Sequence, residues 1–383
     1  MQHNTKSSEH ELAARFPRAT THTKILGDPN SFDSLVLPPG APKKLDDYLN
    51  ADRPQLGLHI VTFYDMTLIT IYFPHTLMDA MGQKELLNSW CLILSGEEDK
   101  VRTPYGTITD PLNTLGMAPG EPYKLASRQL GIYGIVGYGV GQVMNFMRRS
   151  ENRMVCVPAS VIKKLHETAM AELTEMSPEN SPPKSFLTEG DVLCAWWTRI
   201  LISRSSCSPN QTITLNNAFD IRKVLRGDLI PEEAPYVSNA TGFINVLLSA
   251  KDVLEKPLAH TALAIRSAIN ELRTREQVEA FFEIVRRNPG KLPPFFGDRN
   301  MHMITFSNWT KTNLYQLDFS AAIMEGCDAR VAKPRYIQNT QSGLALPNAF
   351  PIIGKDCDGN YWLSGLMNMG HWADIETALA KEI

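Results

Sequence analysis

The 383-residue chain has no strong excess of either charge: 38 Lys and Arg face 41 Asp and Glu, a net of -3. That leaves no electrostatic footprint for nucleic acid or an anionic membrane across the chain as a whole. There is no CxxC pair. The six cysteines, at 91, 156, 194, 207, 327 and 357, are scattered, so they spell out neither a disulfide framework nor a zinc site. Free thiols in a reducing compartment are the expectation. The N-terminus has no apolar core, so no signal peptide is expected, and Glu9 and Glu11 beside Arg15 and Arg18 argue against a transit peptide. The expected location is the cytoplasm. No G-x-S-x-G elbow is present, so a Ser-His-Asp hydrolase has no support. There is no short-period repeat. A hydrophobic fraction of 43% with 21% charged residues is that of an ordinary globular protein, and the length favours two domains.

Long charge-free runs are also scarce, and one of them needs a membrane check. Gln129 to Met147 carries no charge over nineteen residues and could just span a bilayer. It also holds five glycines, two tyrosines, two glutamines and an asparagine, which make it a poor isolated helix. No membrane span is expected; a buried or pocket-lining segment is.

The stretch Leu58 to Gly82 organises the rest. Two β-branched runs, Leu58–Tyr64 and Thr67–Phe73, flank Asp65-Met66 and predict a hairpin. The second run stops at Pro74, which cannot donate to a central ladder. His75 follows, then Asp79 four residues on, and then helical spacing through Leu86, Leu87, Trp90 and Leu94. His75 thus sits where a strand hands over to a helix, a place that fixes the backbone while the side chain can face a cleft. The bare HxxxD pattern is equally that of a satisfied core or surface histidine. A metal pair lacks a nearby third ligand.

The remaining pattern mixes strands and helices. Residues 1 to about 24 read as a mobile tail and Val101–Tyr123, with four prolines, as a long loop able to wall a pocket. Met154–Pro158 reads as a strand, with Ser160 capping a helix over Val161–Met176. Ser177–Lys184 reads as a linker. Thr188 and Asp191 form a capping-box variant opening the helix Val192–Ile202. Strands are expected over Gln211–Phe219, Ala240–Leu248, Met301–Phe306 and Asn313–Phe319, with a last hairpin from Ala349–Gly354 and Tyr361–Leu366. Helices are expected over Leu258–Asn288, broken near Thr274, and over Trp372–Lys381. The fold class is α/β, with mixed sheets and flanking helices.

In this order the landmarks resemble the BAHD acyltransferases, in particular the fungal branch that decorates secondary metabolites. His75 and Asp79 match HxxxD. FLTEGDVLCAWWTRIL at 186–201 matches the family's helix entry, and Asp220-Ile221-Arg222 its strand-end arginine. Tyr236-Val237-Ser238-Asn239 matches the YxGN-like turn. FSNWTKTNLYQLDFSAA at 306–322 matches the T-S-W-like and DFGWG region, and GNYWLSG at 359–365 the C-terminal hairpin.

The resemblance implies two domains like chloramphenicol acetyltransferase, here 1–180 with HxxxD and 181–383 with the DFGWG-like motif, separated by a solvent channel. It implies an O-acyltransferase with acyl-CoA, most simply acetyl-CoA, as co-substrate and a small-molecule hydroxyl as acceptor, with no bound cofactor or metal, acting as a monomer. His75 would be the general base; an imidazole neutral near pH 7 can take the acceptor proton. Asp79 would turn away and pair with Arg222, holding the histidine loop. Ser307 and Trp309 would face the channel and stabilise the oxyanion. Two departures stand out. Only 74 residues precede His75, implying a shortened N-terminal domain, and DFGWG has become Asp318-Phe319-Ser320-Ala321-Ala322. They motivate the rival reading of a catalytically altered member that binds a ligand or partner, or runs another reaction in the cleft. A peptide-synthetase condensation domain fits less well, because Pro74 stands where its first histidine would be.

Overall fold

The computed structural model describes residues 1–176, 186–288, 290, 293–323, 331–340 and 347–380, with the backbone alone for 143–147. In chain order its elements are β1 (Lys24–Ile25), α1 (Asp33–Val36), α2 (Asp46–Leu49), β2 (Gly57–Thr62), β3 (Thr67–Tyr72), α3 (Ala80–Leu94), α4 (Ile132–Met147), β4 (Ser150–Val157), α5 (Ala159–Glu175), α6 (Glu189–Ser203), β5 (Thr212–Asp220) and α7 (Arg222–Leu225). They continue with β6 (Thr241–Ser249), α8 (Ala250–Glu255), α9 (Leu258–Leu272), α10 (Arg275–Arg287), β7 (His302–Asn308), β8 (Ala349–Lys355), β9 (Tyr361–Asn368) and α11 (His371–Leu379). The Ser177–Lys184 linker lies outside the described residues.

Seven strands form one mixed sheet in the order β1-β4-β9-β8-β7-β5-β6. β7 runs parallel to both β5 and β8, and the other neighbours are antiparallel. β4 therefore shares a sheet with strands that follow the linker. β2 and β3 form a separate hairpin, in register from Gly57 opposite Tyr72 to Thr62 opposite Thr67.

Strand alternation divides the core between the sheet's two faces. Val155 and Val157 of β4 face a large cluster built from α5, α6, α9 and α11. Met154 and Cys156, the intervening residues, face a smaller one with Tyr315, Ile353 and Trp362. Trp197 anchors the large cluster, its ring 5.8 Å from Phe350 and 6.4 Å from Trp372. α6 begins as its sequence predicts: Thr188 caps Asp191 N while Asp191 accepts from Thr188 N. The buried Asp191 also pairs with Arg266 at 2.5 Å, tying α6 to α9. Thr274 caps α10, so the long helical pattern does break there.

Several expectations are corrected. The first residues are not a free tail. Their backbone runs beside β2, with His3 N donating to Thr62 O at 2.9 Å and Tyr64 N to Thr5 O at 3.1 Å. The His3 ring stacks on Phe63. α5 is not capped by Ser160. It starts at Ala159 behind an extended Pro158, and Asn360 Oδ1 accepts from Ala159 N. Asn313–Phe319 is not a strand: Asn313 has φ 54, a left-handed conformation that a strand cannot hold, and short 3-10 turns flank it. The glycine-rich segment does form a helix, α4, and most of its described side chains face solvent rather than a pocket. Glycine lowers its propensity, but Gly134 and Gly137 let it close on Leu130 and Arg299.

Candidate active site

The turn between β3 and α3 holds the histidine and aspartate of the HxxxD pattern. Pro74 ends the strand, Leu77 N closes a turn on Pro74 O, and the His75 side chain is exposed. Its own carbonyl accepts from Asn239 Nδ2 at 2.8 Å. Four residues on, Asp79 is the N-cap of α3. Its Oδ1 accepts from Met81 N at 3.1 Å and Gly82 N at 3.0 Å. A carboxylate there satisfies amides that the helix leaves unpaired and meets the positive end of its dipole.

The buried Asp79 is held from a second side. Arg222 Nη2 donates to Oδ1 at 2.8 Å, Ala240 N to Oδ2 at 2.8 Å and Thr241 Oγ1 to Oδ2 at 3.1 Å. Burial alone would raise this carboxyl. The Arg222 guanidinium and the amides outweigh it and hold the group below the usual carboxylate range. Arg222 is saturated in turn: Nε donates to Tyr236 O, Nη1 to Asp220 Oδ1 and Nη2 to Ser238 O. Segment 236–241 therefore grips the His75–Asp79 loop at both ends. Gly82 makes the approach possible, since a Cβ there would lie 1.9 Å from Val237 O.

Ser307 and Trp309 lie at the end of β7. Trp309 Nε1 donates to Ser307 Oγ at 2.8 Å, and Trp309 N donates to Ile352 O. The indole also packs on the smaller core cluster. Its N–H is thus committed, while the Ser307 hydroxyl keeps a proton to donate. The degenerate Asp318-Phe319-Ser320 stretch braces α3 from below, with Phe319 edge-on to Trp90 at 5.5 Å.

A family model described as the Transferase family matches residues 42–322. The chain belongs to that family, the BAHD acyltransferases. It is 38% identical to "Transcriptional regulator calD" of Penicillium decumbens, covering 99% of this chain and 79% of that protein. It is 35% identical to "Acetyltransferase adrJ" of Penicillium roqueforti, with the same coverage. Among solved structures, TRI101 of F. sporotrichioides, complexed with coenzyme A and T-2, superposes with a TM-score of 0.63 at 16% identity, over 86% of this chain and 68% of that one. That likeness carries the α/β fold.

In this BAHD chain the site recruits residues that sequence reasoning did not single out. Asn239 was visible only as the last position of a turn, and Ala240 and Thr241 as the start of a strand. Nothing local marked them as partners of His75 and Asp79. Burial, together with Lys223, Arg273 and Arg266, pushes the Lys311 ammonium below the usual lysine range. The long loop is strapped down: Glu279 Oε1 accepts from Gly116 N and Ala118 N, and Gln277 Oε1 from Lys124 N. Asp110 accepts from Tyr236 OH, so the loop also reaches the turn that holds Arg222. Cys91, Cys156, Cys194, Cys207 and Cys357 are free thiols, and Cys327 lies outside the described residues. Burial raises the first four, which makes them poor nucleophiles. Among the described residues no three His, Cys, Asp or Glu cluster to hold a metal.

Proposed function

We propose that this chain is an acyl-CoA-dependent O-acyltransferase that moves an acetyl group to a hydroxyl of a fungal secondary metabolite. The observation that carries the reading is the doubly gripped loop: Asn239 on the His75 carbonyl and Arg222, Ala240 and Thr241 on Asp79, with the imidazole left exposed. His75 takes the acceptor's proton as the alkoxide oxygen attacks the thioester carbonyl. The tetrahedral oxyanion accepts from Ser307, whose hydroxyl is oriented by the Trp309 N–H. Collapse expels the CoA thiolate, which recovers the proton from His75. Asp79 and Arg222 position and do not react. Lys223, Arg273 and Lys311 supply positive charge for the phosphates of the donor. Residues 1–180 contribute the base and 181–383 the oxyanion donor. The names of relatives such as adrJ support acetyl as the group transferred.

A second reading, a catalytically altered member that binds a ligand or partner, is favoured by the relative named a transcriptional regulator. One experiment separates the two. Purified protein and His75→Ala are titrated with acetyl-CoA by thermal shift, then assayed for thiol release with a panel of alcohols. Binding at a hundred times the dissociation constant stabilises by about 2.7 kcal/mol. A saturable shift in both proteins with turnover only in wild type supports the acyltransferase. No shift with any acyl-CoA favours the second reading, and turnover by His75→Ala near wild type removes the base.

A further inference from the structure

The chain-wide charge of -3 hides a local exception. Between Glu121 and Glu151 there is no carboxylate, while Lys124, Arg128, Arg148 and Arg149 are all cationic. All four side chains are exposed. They bracket α4, which presents Ile132, Val136 and Val140 at four-residue spacing, with Tyr133 beside them. These are exposed by 64%, 57%, 68% and 90% respectively. Spacing of four keeps residues on one side of a helix, so this is a single apolar stripe.

α4 is mounted from its base. Leu130 N donates to Phe295 O, Gly297 N donates to Arg128 O, and Tyr138 rests against Phe295 at 5.7 Å. Arg299, itself exposed, lays its stem along Gly137, within 3.4 Å of where a Cβ would sit. The side turned to the protein is thereby distinct from the stripe turned outward. Sixteen residues fall short of the roughly twenty needed to cross a bilayer, and no described helix is long and apolar enough to do so. An apolar stripe on an uncharged helix with cations at both ends suits a helix lying in the plane of a lipid surface. There, aliphatic groups enter the acyl boundary, a tyrosine sits at headgroup depth and arginines meet phosphates.

We propose that α4 docks this protein on the surface of an anionic lipid bilayer. Ile132, Tyr133, Val136 and Val140 insert; Lys124, Arg128, Arg148 and Arg149 hold the headgroups. The proposal is independent of the transfer reaction, and its test does not read activity. The full chain is sedimented with vesicles of phosphatidylcholine alone and of phosphatidylcholine mixed with phosphatidylserine. The comparison includes Val136→Asp and the double variant Arg148→Gln/Arg149→Gln, each checked for native circular dichroism and melting temperature. The expected result is partition onto the anionic vesicles that falls with added salt. Val136→Asp weakens it at least tenfold, and the double variant by about thirtyfold. Should Val136→Asp unfold the protein, Tyr133→Asp takes its place. Absence of wild-type partition onto anionic vesicles overturns the proposal, as does unchanged partition of a folded variant. So does self-association in sedimentation velocity that the variants abolish without any vesicle binding, which would make the stripe an interface between copies.

Discussion

Asp79 and Arg222 lie 143 residues apart in sequence and 2.8 Å apart in the structure, both buried. Around this pair the strand-to-helix turn carrying His75 is locked to the segment that follows α7. Loss of Arg222 strands the buried Asp79 carboxylate, whereas loss of Asp79 leaves the buried Arg222 matched by Asp220 but without its partner on the histidine loop. Asp79→Asn is expected to destabilise the fold by about 2–3 kcal/mol, the order of lost hydrogen bonds to a charged group, read by urea denaturation. A change in rate with unaltered stability would contradict the positioning role.

The same pair sets an acid limit. The folded pKa of Asp79 is depressed, so its stabilisation is complete above the ordinary carboxylate value of about 3.9 and is lost as pH falls through the folded value. Unfolding free energy measured against pH is expected to drop on that acidic limb in wild type. Asp79→Asn flattens the limb; an unchanged limb would show that other carboxylates dominate it.

Asn239 donates to the backbone of His75, not to its ring. Asn239→Ala is expected to leave the fold intact and lower kcat about tenfold, the order of one lost hydrogen bond, with KM for the acyl donor little changed. An effect on KM alone would place Asn239 against the donor instead.

Gly82 faces the carbonyl of Val237 with no room for a methyl group. Gly82→Ala is expected to push α3 off segment 236–239. The cost should be about 1–3 kcal/mol in urea, with transfer activity falling alongside. Wild-type stability would mean that the two elements separate freely.

Glu279 holds two amides of the long loop and pairs with Arg275 at 2.6 Å. Glu279→Ala is expected to speed hydrogen exchange at Gly116 and Ala118 roughly tenfold while the sheet exchanges as before. Uniform acceleration across the chain would indicate global destabilisation.

Much of the architecture was legible where period and punctuation agree. The hairpin β2–β3, the His75 junction, the Thr188 cap and the break at Thr274 each rest on a local rule, and each stands within a residue or two of its predicted place. The misreadings share a cause. The first residues gain their order from Thr62 and Tyr64 of the hairpin, a distant partner. Apolar alternation over Asn313–Phe319 gave way to one left-handed asparagine. The glycines of α4 argued against a helix on propensity, a weak term that contact with Leu130 and Arg299 outweighs.

The sequence by itself determined that a histidine and an aspartate stand four residues apart between a strand and a helix, because that is written in adjacent residues. It also determined the α/β pattern and the Thr188–Asp191 cap that opens α6. Only the tertiary structure decided what closes on that junction. Asn239 reaches the carbonyl of His75 from 164 residues away, Ala240 and Thr241 share the second oxygen of Asp79, and Trp309 commits its N–H to Ser307 rather than to open space. Such partners are chosen by where the strands pair and how closely Gly82 lets two backbones approach, and neither is recorded in any local stretch of the chain.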